Sequence, residues 1–188
     1  MGSAAMHGYN ERKAAQVAAY FALRSGGTIN VLKLAKLLYL AERESMARFD
    51  EPMFYDRLVS MDHGPVTSIT LNNLNGLGQS EAWSQFVSGR EGYQVGAVGN
   101  LTIDQLDELS RADLRILDHL WQSFGAMTKY ELRDWTHKNC PEWEDPHGSS
   151  EPIPHNRVFK FLGKQDANEL AEAIHERRNL ARTLDLTC

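Results

Sequence analysis

Apolar positions along this chain recur mostly at helical spacing. From Asn10 to Arg24, Ala14, Val17, Ala18 and Phe21 fall at i, i+3, i+4 and i+7, with Asn10 placed to cap the start and Gly26-Gly27 to stop it. That pattern predicts an ordinary amphipathic helix. A second pattern, from Asn30 to about Arg48, puts Leu34, Leu37, Leu38 and Ala41 on one stripe, but Leu32 and Leu40 project well away from it. Only Lys36 and Arg43 mark a narrow wet edge. A helix apolar round most of its circumference must be covered on several sides, so it is expected at the centre of the fold.

The middle of the chain is less regular. Phe54 to Met61 reads as extended, and Asp62-His63-Gly64-Pro65-Val66 follows. Gly before Pro disfavours a continuing helix, and Pro suits the first turn of a new one, predicted over about Pro65 to Asn75. Trp83, Phe86 and Val87 suggest another short helix. Tyr93 to Val98 alternates weakly and is expected to pair with Arg57–Met61 as a two-stranded ribbon, which needs helix packing to be stable. Ser110-x-x-Asp113 and Thr128-x-x-Glu131 are capping boxes, each opening a helix. The first carries Leu114, Leu117, Trp121 and Phe124, the second Leu132 and Trp135. Four prolines between Cys140 and His155 make that segment an irregular loop. Two helices close the chain, one with Val158, Phe159 and Leu162, one from Asp166 with Leu170 and Ile174. The class is mainly α, one helical domain over residues 10–188 with a small two-stranded antiparallel ribbon. Residues 1–9 read as an arm, its start at Met1–Met6 resembling a cloning remnant rather than a signal peptide.

Composition narrows the partners. Of 188 residues, 42% are hydrophobic, ample for a folded core. No apolar run approaches the roughly 18–20 residues that span a bilayer. Lys and Arg number 20 against 25 Asp and Glu, a net charge of −5, whereas general nucleic-acid binders draw most of their affinity from excess cations. The basic run Arg177, Arg178 and Arg182 follows Glu169, Glu172 and Glu176 in one helix, where cations complement the helix dipole. Two cysteines, Cys140 and Cys188, cannot build a disulfide framework, so a reducing cytoplasm is expected.

Candidate chemistry is thin. His137, Cys140, His147 and His155 share one stretch, but zinc sites favour two close ligand pairs, and polar loop histidines with one semi-buried Cys are the plainer reading. Cys140 before Pro141 lies on a loop, away from the helix start that would activate a thiolate. No nucleophile elbow and no phosphate-binding glycine motif occurs. No cofactor and no enzymatic activity is indicated.

Two segments together carry a resemblance. Lys33-Leu34-Ala35-Lys36-Leu37-Leu38-Tyr39 is followed about twenty residues later by His63-Gly64-Pro65-Val66 and Leu71-Asn72-Asn73-Leu74-Asn75-Gly76. This ordered pair resembles the SocA-like antitoxin domain, also called Panacea. Gly89-Arg90-Glu91-Gly92-Tyr93 and the Trp135–Ile153 loop share the likeness, which extends over about Asn10 to Ile174. The resemblance implies a mostly helical antitoxin of a bacterial or phage toxin–antitoxin pair, one that neutralises a neighbouring toxin protein by direct binding. It also brings in two other classes of function: a proteolytic adaptor delivering a toxin to a ClpXP-type protease, and a DNA-binding autoregulator, against which the acidic balance weighs. Self-association is left open. Leu34, Leu37, Leu38, Gly64, Pro65 and Val66 match family positions whose plain role is core and backbone geometry. Tyr39, Arg57 and His63 are the expected partner contacts, Tyr39 and His63 being read as half-exposed. Where members of that family often carry Gly-Asp just before the ribbon, this chain has Phe54-Tyr55-Asp56.

Overall fold

A computed structural model describes residues 8–78 and 80–185. Its helices are α1 (Glu11–Arg24), α2 (Val31–Phe49), α3 (Ser68–Leu74), α4 (Glu81–Ser84), α5 (Arg111–Phe124), α6 (Lys129–Asn139), α7 (His155–Phe161) and α8 (Ala167–Asp185). Short strands are β1 (Thr28–Asn30), β2 (Leu58–Met61), β3 (Gly64–Thr67), β4 (Gln94–Gly96) and β5 (Glu151–Pro152). The mainly α class is as expected. The start at Met1–Met6 and the terminal Cys188 lie outside the described residues, as does the side chain of Arg182.

Helix α2 is the axis of the fold, packed against α1, α5, α6, β1 and β3. Asn30 caps it by accepting from the backbone N–H of Leu32 and Lys33, and Leu34, Leu37 and Leu38 are fully buried. Emptying such a site, as in Leu38→Ala, costs about 3 kcal/mol. The wet edge expected at Lys36 and Arg43 does not exist. Lys36 is buried beneath the β2–β3 hairpin and α6, and Arg43 is half-buried on Glu142. Helix α1 is likewise more enclosed than an amphipathic helix, with Ala14 through Ala22 buried without a break. Five alanines let neighbours close in from every side. Its buried Gln16 is satisfied by the Asp107 carboxylate and the Glu108 N–H.

The strands correct the predicted ribbon. β4 pairs with β1, Ile29 opposite Val95, while β2 pairs antiparallel with β3 and, on its other edge, with β5. Gly-Pro-Val is therefore a strand rather than a helix start. Met61 faces Gly64 across a two-residue Asp62-His63 turn, so β2 closes on the nearest available segment at little loop-closure cost. Pro65, lacking an N–H, is tolerated because β3 is a sheet edge.

Helix α3 begins only at Ser68, and no side-chain bond from Thr67 caps it. The cap is Asp56, twelve residues away. Its Oδ1 accepts from the N–H groups of Arg57 (2.6 Å) and Ile69 (2.9 Å). Its Oδ2 accepts from the Thr70 N–H (2.8 Å) and hydroxyl. Glu42 of α2 lies behind it, accepting from the N–H groups of Phe54 (3.0 Å) and Asp56 (2.7 Å). Burial pushes the Glu42 carboxyl up to about 7 and raises Asp56 as well, while their N–H donors pull the other way. Tyr55 adopts a left-handed φ of 60° that costs a residue with a Cβ about 1–2 kcal/mol. Helix α8 clasps this strained loop. Arg178 donates to the carbonyls of Tyr55 and Asp56, both at 2.7 Å, and Arg177 lies over the Tyr55 ring and pairs with Glu51.

Candidate functional site

The β2–β3 turn overhangs a groove of about 700 Å³. One wall is the first half of α2, with Val31, Leu32, Ala35 and Lys36; the opposite wall is the start of α6, and the Arg90–Tyr93 loop closes one end. Thr128 accepts from the Glu131 N–H while Glu131 accepts from the Thr128 N–H. This box fixes the first turn of α6, so that Lys129 and Arg133, four residues apart, share a face.

Four of the lining residues are cations, Lys36, Arg90, Lys129 and Arg133, against one carboxylate, Asp62. The exposed rings of Tyr93 and Tyr130 interleave with them. Lys129 Nζ lies 5.7 Å from the Tyr93 centroid and 4.9 Å from that of Tyr130, with Arg133 5.2 Å from Tyr130 and Arg90 5.7 Å from Tyr93. Arg90 donates to the Gly92 carbonyl and to Asn75, and Arg133 also pairs with Asp134. The Asp62 carboxylate accepts from the Gly148 N–H at 2.8 Å.

Beneath the turn the packing is tight. Lys36 Nζ donates to the Pro65 carbonyl at 3.0 Å, and burial lowers its pKa to about 7. Gly64 has a φ of 97°, and a Cβ there would sit 2.9 Å from His137 and 3.1 Å from Lys36 Nζ. Both backbone and space therefore demand glycine. His137 stacks on Trp143 at 4.2 Å, and Trp143 Nε1 donates to the Met61 carbonyl, which pins the hairpin tip. Burial, then the nearby Lys36, holds His137 below its ordinary pKa.

The sequence candidates divide accordingly. His63 is exposed on the groove rim. Arg57 is exposed too, but lines a neighbouring hollow that shares Met61, Leu71 and Asn75 with the groove. Tyr39 is corrected: it is fully buried, its hydroxyl donating to Glu142 at 2.6 Å, with Arg43 on the same carboxylate. An apolar helix face and a paired hydroxyl leave it nothing to offer a partner. Leu34, Leu37, Leu38, Gly64, Pro65 and Val66 are all buried. Cys140 is buried as well, its thiol pushed up to about 12 by burial. His147 is exposed and His155 half-buried at the head of α7, where desolvation lowers its pKa to about 4. Among the described residues no group of three or more His, Cys, Asp or Glu side chains could hold a metal ion. Sequence reading missed Arg90, Lys129, Tyr130 and Arg133 as a set. The signal was Lys129-Tyr130-x-x-Arg133 behind a capping box, two cations on one helix face of an acidic chain.

A family model described as "Antitoxin SocA-like, Panacea domain" matches residues 34–144. The chain belongs to that family. The match runs from within α2 to Glu144, taking in all four groove cations and the hairpin but not α1, α7 or α8, a shorter span than the likeness noted from Asn10 to Ile174. No curated protein and no solved structure matches this chain. No helix of the described part of this Panacea protein is long and apolar enough to cross a membrane.

Proposed function

We propose that this Panacea protein is the antitoxin of a toxin–antitoxin pair, that residues 10–188 act as one domain, and that it neutralises a cognate toxin encoded beside it by direct, non-enzymatic binding in the cytoplasm. The family match over residues 34–144 carries this reading. The face around the β2–β3 turn is the binding surface, with His63 on its rim and Arg57 in the adjoining hollow. Its cations and phenols are recognition groups, and the aromatic and Arg content is typical of residues that anchor protein interfaces. Tyr39 serves behind this surface by holding Glu142.

Co-expression tests the reading. The neighbouring gene product is toxic alone, is rescued by this protein and co-purifies with it. Rescue with falling toxin levels, only where the ClpXP-type protease is present, would instead make it an adaptor. Rescue that survives both Arg57→Glu and His63→Trp would remove those residues from the surface.

A further inference from the structure

We infer that the groove takes up an acidic stretch of the partner, an exposed toxin segment bearing two or more carboxylates interleaved with apolar side chains. This inference rests on the antitoxin reading and adds the chemistry of the contact. The chain as a whole is acidic, with a net charge of −5, yet the groove presents the cations Arg90, Lys129 and Arg133, with Lys36 buried in its wall, against one lining acid. That acid, Asp62, is already engaged by the Gly148 N–H.

The cations are also held in place. Lys129 is held between two tyrosine rings, Arg90 is tied to Gly92 and Asn75, and Arg133 rests on Tyr130 while pairing with the exposed Asp134. Side chains ordered before binding lose less freedom when a carboxylate arrives. Val31, Leu32, Ala35, Val66 and Leu71 give the lining an apolar share that a string of phosphates would not use. Lys36, buried behind that lining with a lowered pKa, adds a field that an incoming anion would relieve. A nucleic acid would meet the same cations, but its long-range approach is opposed by the overall negative charge.

The test titrates the purified toxin into the wild-type chain, into an Arg90→Glu/Lys129→Glu/Arg133→Glu variant and into the matching triple Gln variant. Circular dichroism checks that each is folded. Affinity is expected to fall about 30-fold or more on reversal in low salt, with the Gln variant between, and the gap should narrow to about threefold in 0.5 M salt. Should the Glu variant misfold, the Gln variant decides by the same criterion, with a loss of about fivefold. Wild type binding while the variants bind equally well, or better, overturns the inference and leaves the antitoxin reading standing. Failure of wild type to bind the toxin at all sinks that reading and the inference with it. Tighter uptake of a labelled single-stranded oligonucleotide than of the toxin also overturns the inference.

Discussion

Two ionisable groups are buried on opposite stretches of helix α2, and they are treated differently. Glu42, with its neighbour Asp56, meets a ring of donors: backbone N–H groups from Phe54, Asp56, Arg57, Ile69 and Thr70, plus the Thr70 hydroxyl. Lys36, with three N–H bonds to give, makes one hydrogen bond among the described residues, to the Pro65 carbonyl, and shares its surroundings with His137 and Arg133. A saturated buried charge organises backbone, here the Met53–Asp56 loop and the start of α3. An undersatisfied one beside a groove costs stability that the fold has no internal use for. The difference separates architecture from recognition within one helix.

The contrast breaks first at Asp56. Asp56→Ala strands the buried N–H groups of Ile69 and Thr70, the half-buried one of Arg57 and a hydroxyl, and is expected to cost about 3–5 kcal/mol in urea unfolding. Toxin affinity per folded molecule should stay unchanged. A loss below about 1 kcal/mol would mean the carboxylate is not architectural.

Lys36→Met should do the opposite. The folded pKa, about 7, lies below the unfolded 10.5, so the lysine's share of stability is complete above 10.5 and lost as pH falls through 7. The variant should therefore gain about 1–3 kcal/mol at pH 7 or below and progressively less toward pH 10, while toxin affinity drops a few-fold. Denaturant melts across pH check the first half, calorimetry the second.

Glu42 sharpens the sign. Its folded pKa of about 7 lies above the ordinary 4.5, so its contribution is present below 4.5 and is lost as pH rises through 7. Glu42→Gln should flatten that decline, by on the order of 1 kcal/mol between pH 4.5 and 7.5. The smallest effect concerns the strained loop they support. Tyr55→Gly should be about 1 kcal/mol more stable than Tyr55→Ala, since only glycine takes its φ of 60° without strain.

Local features of this fold were open to sequence reading because their causes are local. Asn10, Ser110 and Thr128 cap helices within three residues of themselves, and all three were legible. The Gly-Pro-Val strand was not, because Pro suits a helix's first turn as well as an edge strand, and the choice falls to a hairpin partner and to a cap, Asp56, reached only through the fold. The burial of Lys36 was hidden for a related reason: α6, a hundred residues away, supplies the cover. Of the candidate site, His63 and Arg57 reached the surface face and Tyr39 did not. The α6 cations needed the packing of α6 against α2 to become a groove.

Hydrogen–deuterium exchange of this Panacea protein, alone and with its toxin, tests the central claim that the groove is the binding surface. The account predicts slowed exchange in residues 61–66, 90–93 and 129–133, with the buried loop 53–56 already protected in both states. Protection confined to α5 or to the α7–α8 side, with the groove segments exchanging as in the free protein, would contradict it.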